Sequence, residues 1–498
     1  MKIAKQSLSA LLLLSMLASM AACASDTPPD TGNDTTEPVE TTTADTEDPR
    51  ATMKDNLPDD LDFGGEVIRF YCRGAWATEE FSEETENGDI VNDAQFNRNR
   101  QVEERLNVKL EFTAGETKID DYGRKCYSIL LAGDNEFEVM QCFSTYGSMH
   151  ANEGLFADLM NAPYLDYDMP WYDVTYMNEL AVSPNHRYLL MGDLCFKSIQ
   201  NLSSVFYNKA LYEQLYGNPD ELYDKVLDGT WTHDVMRKIC ADIYSDTNGN
   251  TETDKEDRLG MIVGSGTQSD NFTFTSGFRF TDRSIDGYPQ LVIDHSRNVD
   301  VLESLDNLFH ETVGVICNLK IPETDSFVKF TEGTSMFLPE RLVFTGYDVM
   351  REMNDPYGVL PFPKLDENQE RYYTLINNSS TLTAVPVTVP NDKFDAVCAT
   401  LEALYAESYR KVTPAYYEIV LKVKFAHDDQ SRQIIDLIRD SLTSDFAYSN
   451  ATSLSNLGYL PRDVLWKHDS SYMSMYESKK TTVSQVLKQI IEDVQKAD

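Results

Sequence analysis

The sequence is short of positive charge: 43 Lys and Arg stand against 82 Asp and Glu, a formal net charge of −39 over 498 residues. Nucleic acid and anionic surfaces would be repelled at long range, so neither is an expected partner. A polyanionic ligand is disfavoured for the same reason, unless a locally basic site overcomes the overall field. The sequence also lacks any Cys-x-x-Cys pair, and no His lies at zinc-ligand spacing from a cysteine, which removes the redox motif and the Cys/His metal site. There is no Gly-x-Ser-x-Gly elbow, no His-Glu-x-x-His helix and no phosphate loop. Paired carboxylates for glycoside hydrolysis discriminate nothing, because 82 acidic residues always supply a pair.

The first residues carry Lys2 and Lys5, followed by an apolar run from Leu8 to Ala22 that is too short to span a bilayer comfortably. This predicts an export signal over residues 1–22. Its end, Met20-Ala21-Ala22-Cys23, resembles the lipobox of bacterial lipoproteins, in which the Cys is diacylated and becomes the new N-terminus; Met stands where Leu is commoner. The alternative is ordinary secretion with cleavage after an Ala-rich stretch and no lipid. With Cys23 lipidated, seven cysteines remain, at 72, 126, 142, 195, 240, 317 and 398, and an odd number cannot all pair. Their mostly apolar surroundings predict buried free thiols.

From Cys23 to about residue 60 the chain is rich in Thr, Asp, Glu and Pro, with almost nothing able to join a core, so it is expected to form a disordered acidic tether. A lipid anchor plus a solvated spacer would hold a receptor at the membrane while leaving it free to tumble. Residues 61–498 have ordinary globular composition and exceed what one core serves, so two lobes are expected.

Within that part, Val67–Tyr71 reads as a strand after Gly64-Gly65, Asp93–Leu106 as an exposed helix, and Val108–Thr113 as a second strand. A helix should end at Gly133, and Glu138–Phe143 gives another strand. The alternation argues for an α/β unit with a largely parallel sheet. Ligands bind such sheets beyond the carboxyl ends of the strands. Two loops are therefore candidates: Arg73–Thr78 with Trp76, and Ser144–Ser148 with Tyr146. Trp76 is poised between a packing role and a binding platform.

Four further segments occur in order: Gly154-Leu-Phe-Ala-Asp-Leu159, Val205-Phe-Tyr-Asn-Lys-Ala-Leu-Tyr212, Phe330-Thr-Glu-Gly333 leading to Met336-Phe337, and Tyr357-Gly-Val-Leu-Pro361-Phe-Pro363. Together, over residues 61–498, they resemble the extracellular solute-binding proteins of ABC importers, in the large carbohydrate-binding class that includes maltose-binding protein. The departure is Phe337, where the family usually places Met four residues after Gly. Each segment has a scaffold role: Asn208 is a good helix cap, Gly333 suits a tight turn, and Pro361 and Pro363 fix an extended path.

The resemblance implies a two-lobed α/β fold of the periplasmic-binding-protein type (type II), with an interlobe hinge and cleft. Lobe 1 would comprise 61–193 and 358–412, and lobe 2 would comprise 194–357 and 413–498. The chain would cross between them near Gly192–Phe196, Tyr357–Pro363 and Arg410–Pro414. It further implies capture of an oligosaccharide, delivery to an ABC permease, no catalytic step, no organic cofactor, a monomer, and an extracytoplasmic location anchored through Cys23. Sugar sites combine stacked aromatics with hydrogen-bonding side chains. The expected lining is Trp76, Ser144, Tyr146, Asp193, Glu340 and Arg341. Trp171, Trp231 and Trp466 are expected to be packing residues.

One loop remains. Asp246, Asn248, Asn250, Asp254 and Asp257 fall at positions 1, 3, 5, 9 and 12 of an EF-hand spacing, with the Glu252 carbonyl at position 7. Thr251 replaces the usual Gly at position 6, and Asp257 replaces the longer Glu at position 12. Similar loops in the sugar-receptor family imply a structural calcium; the alternative is an acidic surface turn held by Asx hydrogen bonds. Other open readings are a receptor for peptides or another solute, a surface sensor, and a glycoside-acting enzyme.

Overall fold

The computed structural model describes residues 49–498 apart from 75, 82–83, 319–321, 379, 423–428 and 497–498. The export signal, Cys23 and most of the expected tether lie outside the described residues. Residues 49–60, assigned from sequence to that tether, are instead folded onto the domain. Leu57 is buried, and Asp55 accepts from both Arg105 at 2.7 Å and Arg410 at 3.0 Å. A paired, largely buried carboxylate holds this stretch down, which its composition alone does not reveal.

Strands β1 (Glu66–Cys72), β2 (Val108–Ala114) and β3 (Val139–Phe143) form the first sheet, with β2 and β3 both parallel to β1. The sequence places all three within two residues of their observed ends. The helix Ile90–Leu106 starts at Asp89, whose carboxylate accepts from Val91 and Asn92, and the helix Ile119–Ala132 stops at Gly133 in the left-handed conformation, φ 75°.

The second half supplies β4 (Ser203–Asn208), β5 (Met261–Val263), the hairpin β6 (Thr281–Arg283) and β7 (Pro289–Leu291), then β8 (Val315–Cys317), β9 (Phe337–Arg341) and β10 (Tyr357–Leu360). β4 lies between β10 and β9 and is antiparallel to both; a Leu259–Ser335 bridge brings the parallel pair β5–β8 alongside β9. The remaining short strands are β11 (Thr374–Leu375), β12 (Thr381–Ala384) and β13 (Leu442–Thr443).

The scaffold motifs act as their residue types dictate. The Asn208 side chain accepts from Leu211 N and caps the helix Lys209–Tyr216, and Gly333 takes φ 71° in the turn before β9. Trp231 is fully buried, its indole N–H donating to the Pro361 carbonyl at 2.9 Å; Trp171 is buried and Trp466 packs on the core. The seven described cysteines are free thiols, buried except for the half-buried Cys317.

Three passages join the sheets. The first runs from Leu190, bridged to Thr383, through the helix Phe196–Gln200 into β4. The return was expected at Tyr357–Pro363. Residues 357–364 instead stay with the second sheet: β10 pairs along β4, and Lys364 exchanges backbone hydrogen bonds with Trp231 and His233. The return lies at 376–381, between the Leu202–Ile376 bridge and the pairing of β12 against β3. The third passage spans Ser408–Lys422, whose helix Thr413–Lys422 packs on both the helix Ile90–Leu106 and the turn Leu342–Gly346.

Candidate functional site

The region after β1 is not the loop expected from sequence. Trp76 opens a short helix, Trp76–Phe81, and stands half-buried with its ring edge-on to Phe143, 5.6 Å between centroids. The Arg73 guanidinium lies over the ring at 4.6 Å and the Lys197 ammonium at 5.7 Å. Lys197 sits on the first passage, where its ammonium also meets Glu79 and Gln200. One turn beyond Trp76, helical spacing turns Glu80 toward the same passage. Its buried carboxylate accepts from the Lys197 backbone N–H at 2.8 Å and from the Thr381 hydroxyl. Burial pushes the Glu80 carboxyl up to about 7, against the lowering effect of those hydrogen bonds. A single helix thus presents an aromatic ring and ties two of the passages together.

Ser144 and Tyr146 likewise belong to a helix, Ser144–Asn152, rather than to a loop. The helix begins directly after β3, with Phe143 at the cap position and no side-chain cap, so no residue signals its start. The hydroxyls of Ser144 and Thr145 donate to the Asn378 carbonyl at 2.9 and 3.0 Å. Tyr146 donates to Asp120 at 2.8 Å with its ring packed over Gly123, and burial together with that bond pushes its hydroxyl up to about 12.

On the second sheet, Glu340 and Arg341 end β9. Glu340 is 2% exposed and accepts from the Gln268 amide at 3.2 Å; Gln268 completes a capping box with Ser265 at the start of the helix Gly266–Thr275. Arg341 lies over Phe344 at 5.4 Å. The return passage links the two sides through neighbouring residues: the Asn377 amide donates to Thr267 at 3.3 Å, while Asn378 meets Ser144, Thr145 and, through its amide, Tyr459. Behind Tyr459, Arg462 stacks at 4.1 Å and forms a two-point ion pair with the buried Asp270.

Asp193 stands apart from this group. It is 2% exposed, accepts from Thr413 at 2.5 Å and pairs with Arg439 at 2.8 Å. With Trp171, Asp173 and Gly192 it lines a separate cavity of about 300 Å³ at the passages. Asp193 is thus committed to holding the Arg439 guanidinium charged. No local pattern marks Lys197, Asn378, Tyr459 or Arg462 beyond the polar Asn377-Asn378 pair between apolar strands.

The loop 246–257 is a turn held by its own side chains. Thr251 adopts φ 68° at position 6, and the Asp246 carboxylate accepts from Gly249 N at 2.6 Å and Thr251 N at 2.9 Å. Asn248 and Asn250 accept from Asn250 N and Glu252 N and turn their amide nitrogens onto Asp254. Asp257 is buried and accepts from Thr247 N, Asp254 N and the Tyr244 hydroxyl. The oxygen-bearing side chains are present, with their lone pairs engaged by loop amides.

No family model and no curated protein matches the sequence. Solved structures do match the fold. A solute-binding protein of an ABC transporter from Thermotoga lettingae, bound with alpha-D-tagatose, aligns over 85% of this chain and 100% of its own at 14% identity, TM-score 0.54. UspC from M. tuberculosis aligns over 87% and 100% at 12% identity, TM-score 0.55. The sugar-binding protein MalE from Xanthomonas citri aligns over 85% and 98% at 12% identity, TM-score 0.54. The chain therefore has the two-lobed α/β fold of ABC-transporter solute-binding proteins. Among the described residues no helix is long and apolar enough to cross a membrane.

Proposed function

We propose that this protein is an extracytoplasmic receptor that captures an oligosaccharide between its two lobes and passes it to an ABC permease. The observation that carries the reading is Trp76, a half-buried indole beyond the carboxyl ends of β1 and β3 that faces the first passage, with Arg73 and Lys197 beside it. A pyranose offers an apolar face to such a ring and hydroxyl edges to flanking cations and carboxylates. Binding shared between lobes favours the closed arrangement, and a permease that recognises closure needs no catalytic step from the receptor. The fold shared with sugar receptors supports the ligand class. The lipobox-like Met20–Cys23 supports attachment of a monomeric receptor to the membrane through a lipid on Cys23.

Thermal unfolding against mono-, oligo- and polysaccharides and against peptides tests the ligand. A true ligand at 100 times its Kd stabilises by about 2.7 kcal/mol. Trp76→Ala should weaken sugar binding at least tenfold in a protein whose circular dichroism shows it still folded, with some loss of melting temperature from the lost packing on Phe143. Stabilisation by peptides and by no sugar would replace the reading with a peptide receptor. We further propose that loop 246–257 takes a structural calcium through Asp246, Asn248, Asn250, the Glu252 carbonyl, Asp254 and Asp257. Chelation should then lower the melting temperature by several degrees, and Asp246→Ala should remove that response.

A further inference from the structure

The chain has seven histidines, and two of them converge far from the passages. His310 lies in the π-turn Asn307–Glu311 that follows the helix Ser296–Asp306, and His468 ends the helix Leu460–Lys467 in the left-handed conformation, φ 49°. Ligand atoms of Asp306, His310 and His468 all lie within 4.8 Å of one another, the one such His, Cys, Asp or Glu group among the described residues. The imidazole rings are 4.8 Å apart, centre to centre.

The two rings are held differently. His310 Nε2 is 2.7 Å from the Leu465 carbonyl, which can only accept, so Nε2 carries the proton and Nδ1 the lone pair. A backbone carbonyl holding the second ring nitrogen is the usual support of a metal-bound histidine. His468 Nδ1 is hydrogen-bonded to Asp306 Oδ1 at 2.7 Å, a contact that a shared ion would replace, and its Nε2 is 3.9 Å from Glu311. Asp306 and His468 also line a cavity of about 430 Å³ together with Glu303 and Asp469, which leaves room for water on the open coordination positions.

We propose that Asp306, His310 and His468, with Glu311 within reach, bind a divalent transition-metal ion such as zinc. Imidazole nitrogens with carboxylate select zinc, nickel, cobalt or copper over calcium and magnesium, which prefer all-oxygen sites. Two carboxylates balance the ion's charge. The bound ion fastens the end of the helix Leu460–Lys467 to the π-turn, joining residues 162 positions apart through Asp306 and His468. It is independent of the sugar site and of the loop 246–257.

Isothermal titration of the chelator-stripped full chain with zinc sulfate, paired with thermal unfolding in zinc and in calcium at equal concentration, tests this. Two variants keep the local structure: His468→Asn, because Asn tolerates the left-handed conformation, and His310→Gln, whose amide still reaches a carbonyl. Their melting temperatures without metal should match the parent's. The expected result is saturable zinc binding by the parent with a rise in melting temperature, and at least tenfold weaker binding by each variant. Asp246→Ala should keep the zinc response. Equal affinity in parent and variants would move the ion to the thiols or elsewhere, and no zinc response by the parent would remove the site; either overturns the proposal.

Discussion

At the passages, the carboxylates of Glu80, Asp193 and Asp270 are at most 2% exposed and each is held by partners distant in sequence; in the loop 246–257, Asp246 and Asp254 are half-exposed and held by amides a few residues away. The same residue type thus has two energetic situations. Removing one partner of a buried pair strands the other charge in a poor solvent, whereas water stands ready behind Asp246 and Asp254.

Arg439→Ala is the strongest way to break that contrast. It leaves Asp193 buried without its cation and should cost about 3 to 5 kcal/mol, read as a lower urea midpoint at unchanged slope. A cost below about 1 kcal/mol would put Asp193 in the same class as a surface acid. A middle-sized effect concerns pH. The folded Glu80 carboxyl, raised by burial from 4.5 to about 7, keeps its proton over a window in which the unfolded chain has lost it. Its contribution is therefore full below about pH 4.5 and fades as pH rises through 7. Glu80→Gln should remove on the order of 2 kcal/mol of that slope between pH 5 and 7.5. Glu402, also raised to about 7 by burial, keeps its own share. Equal slopes in parent and variant would exclude Glu80 as a source. The smallest effect sharpens the loop side: Thr251→Gly relieves a left-handed β-branched residue and should stabilise by about 0.5 kcal/mol in a thermal melt. A loss instead would give the Thr251 side chain work that its exposed position does not suggest.

The first sheet was readable because its strands carry β-branched and aromatic runs bounded by Gly or by helix caps, signals that act over a few residues. The segments beyond the strands were misread for the opposite reason. Phe143 caps its helix without a side-chain bond, so nothing local announces the change from strand to helix. Pro361 and Pro363 do fix an extended path, but the pairing of β10 with β4 decides which sheet that path follows. Asp193 lies near a passage, and its commitment to Arg439, 246 residues away, has no local signal. Of the candidate lining residues, Trp76 meets Lys197 of the first passage and Ser144 meets Asn378 of the return, while Tyr146 is tied to Asp120 and Glu340 to Gln268. The buried pair Asp270–Arg462 had no local pattern to betray it.

Asn377 and Asn378 share one peptide bond, yet the first grips the start of the helix Gly266–Thr275 and the second grips the start of the helix Ser144–Asn152. Their Cα atoms are about 3.8 Å apart, so the two grips are separated by a single peptide unit. Small angular movement there must either twist the intervening peptide or release one grip. A reporter group placed beside this peptide would therefore register any release of either grip directly.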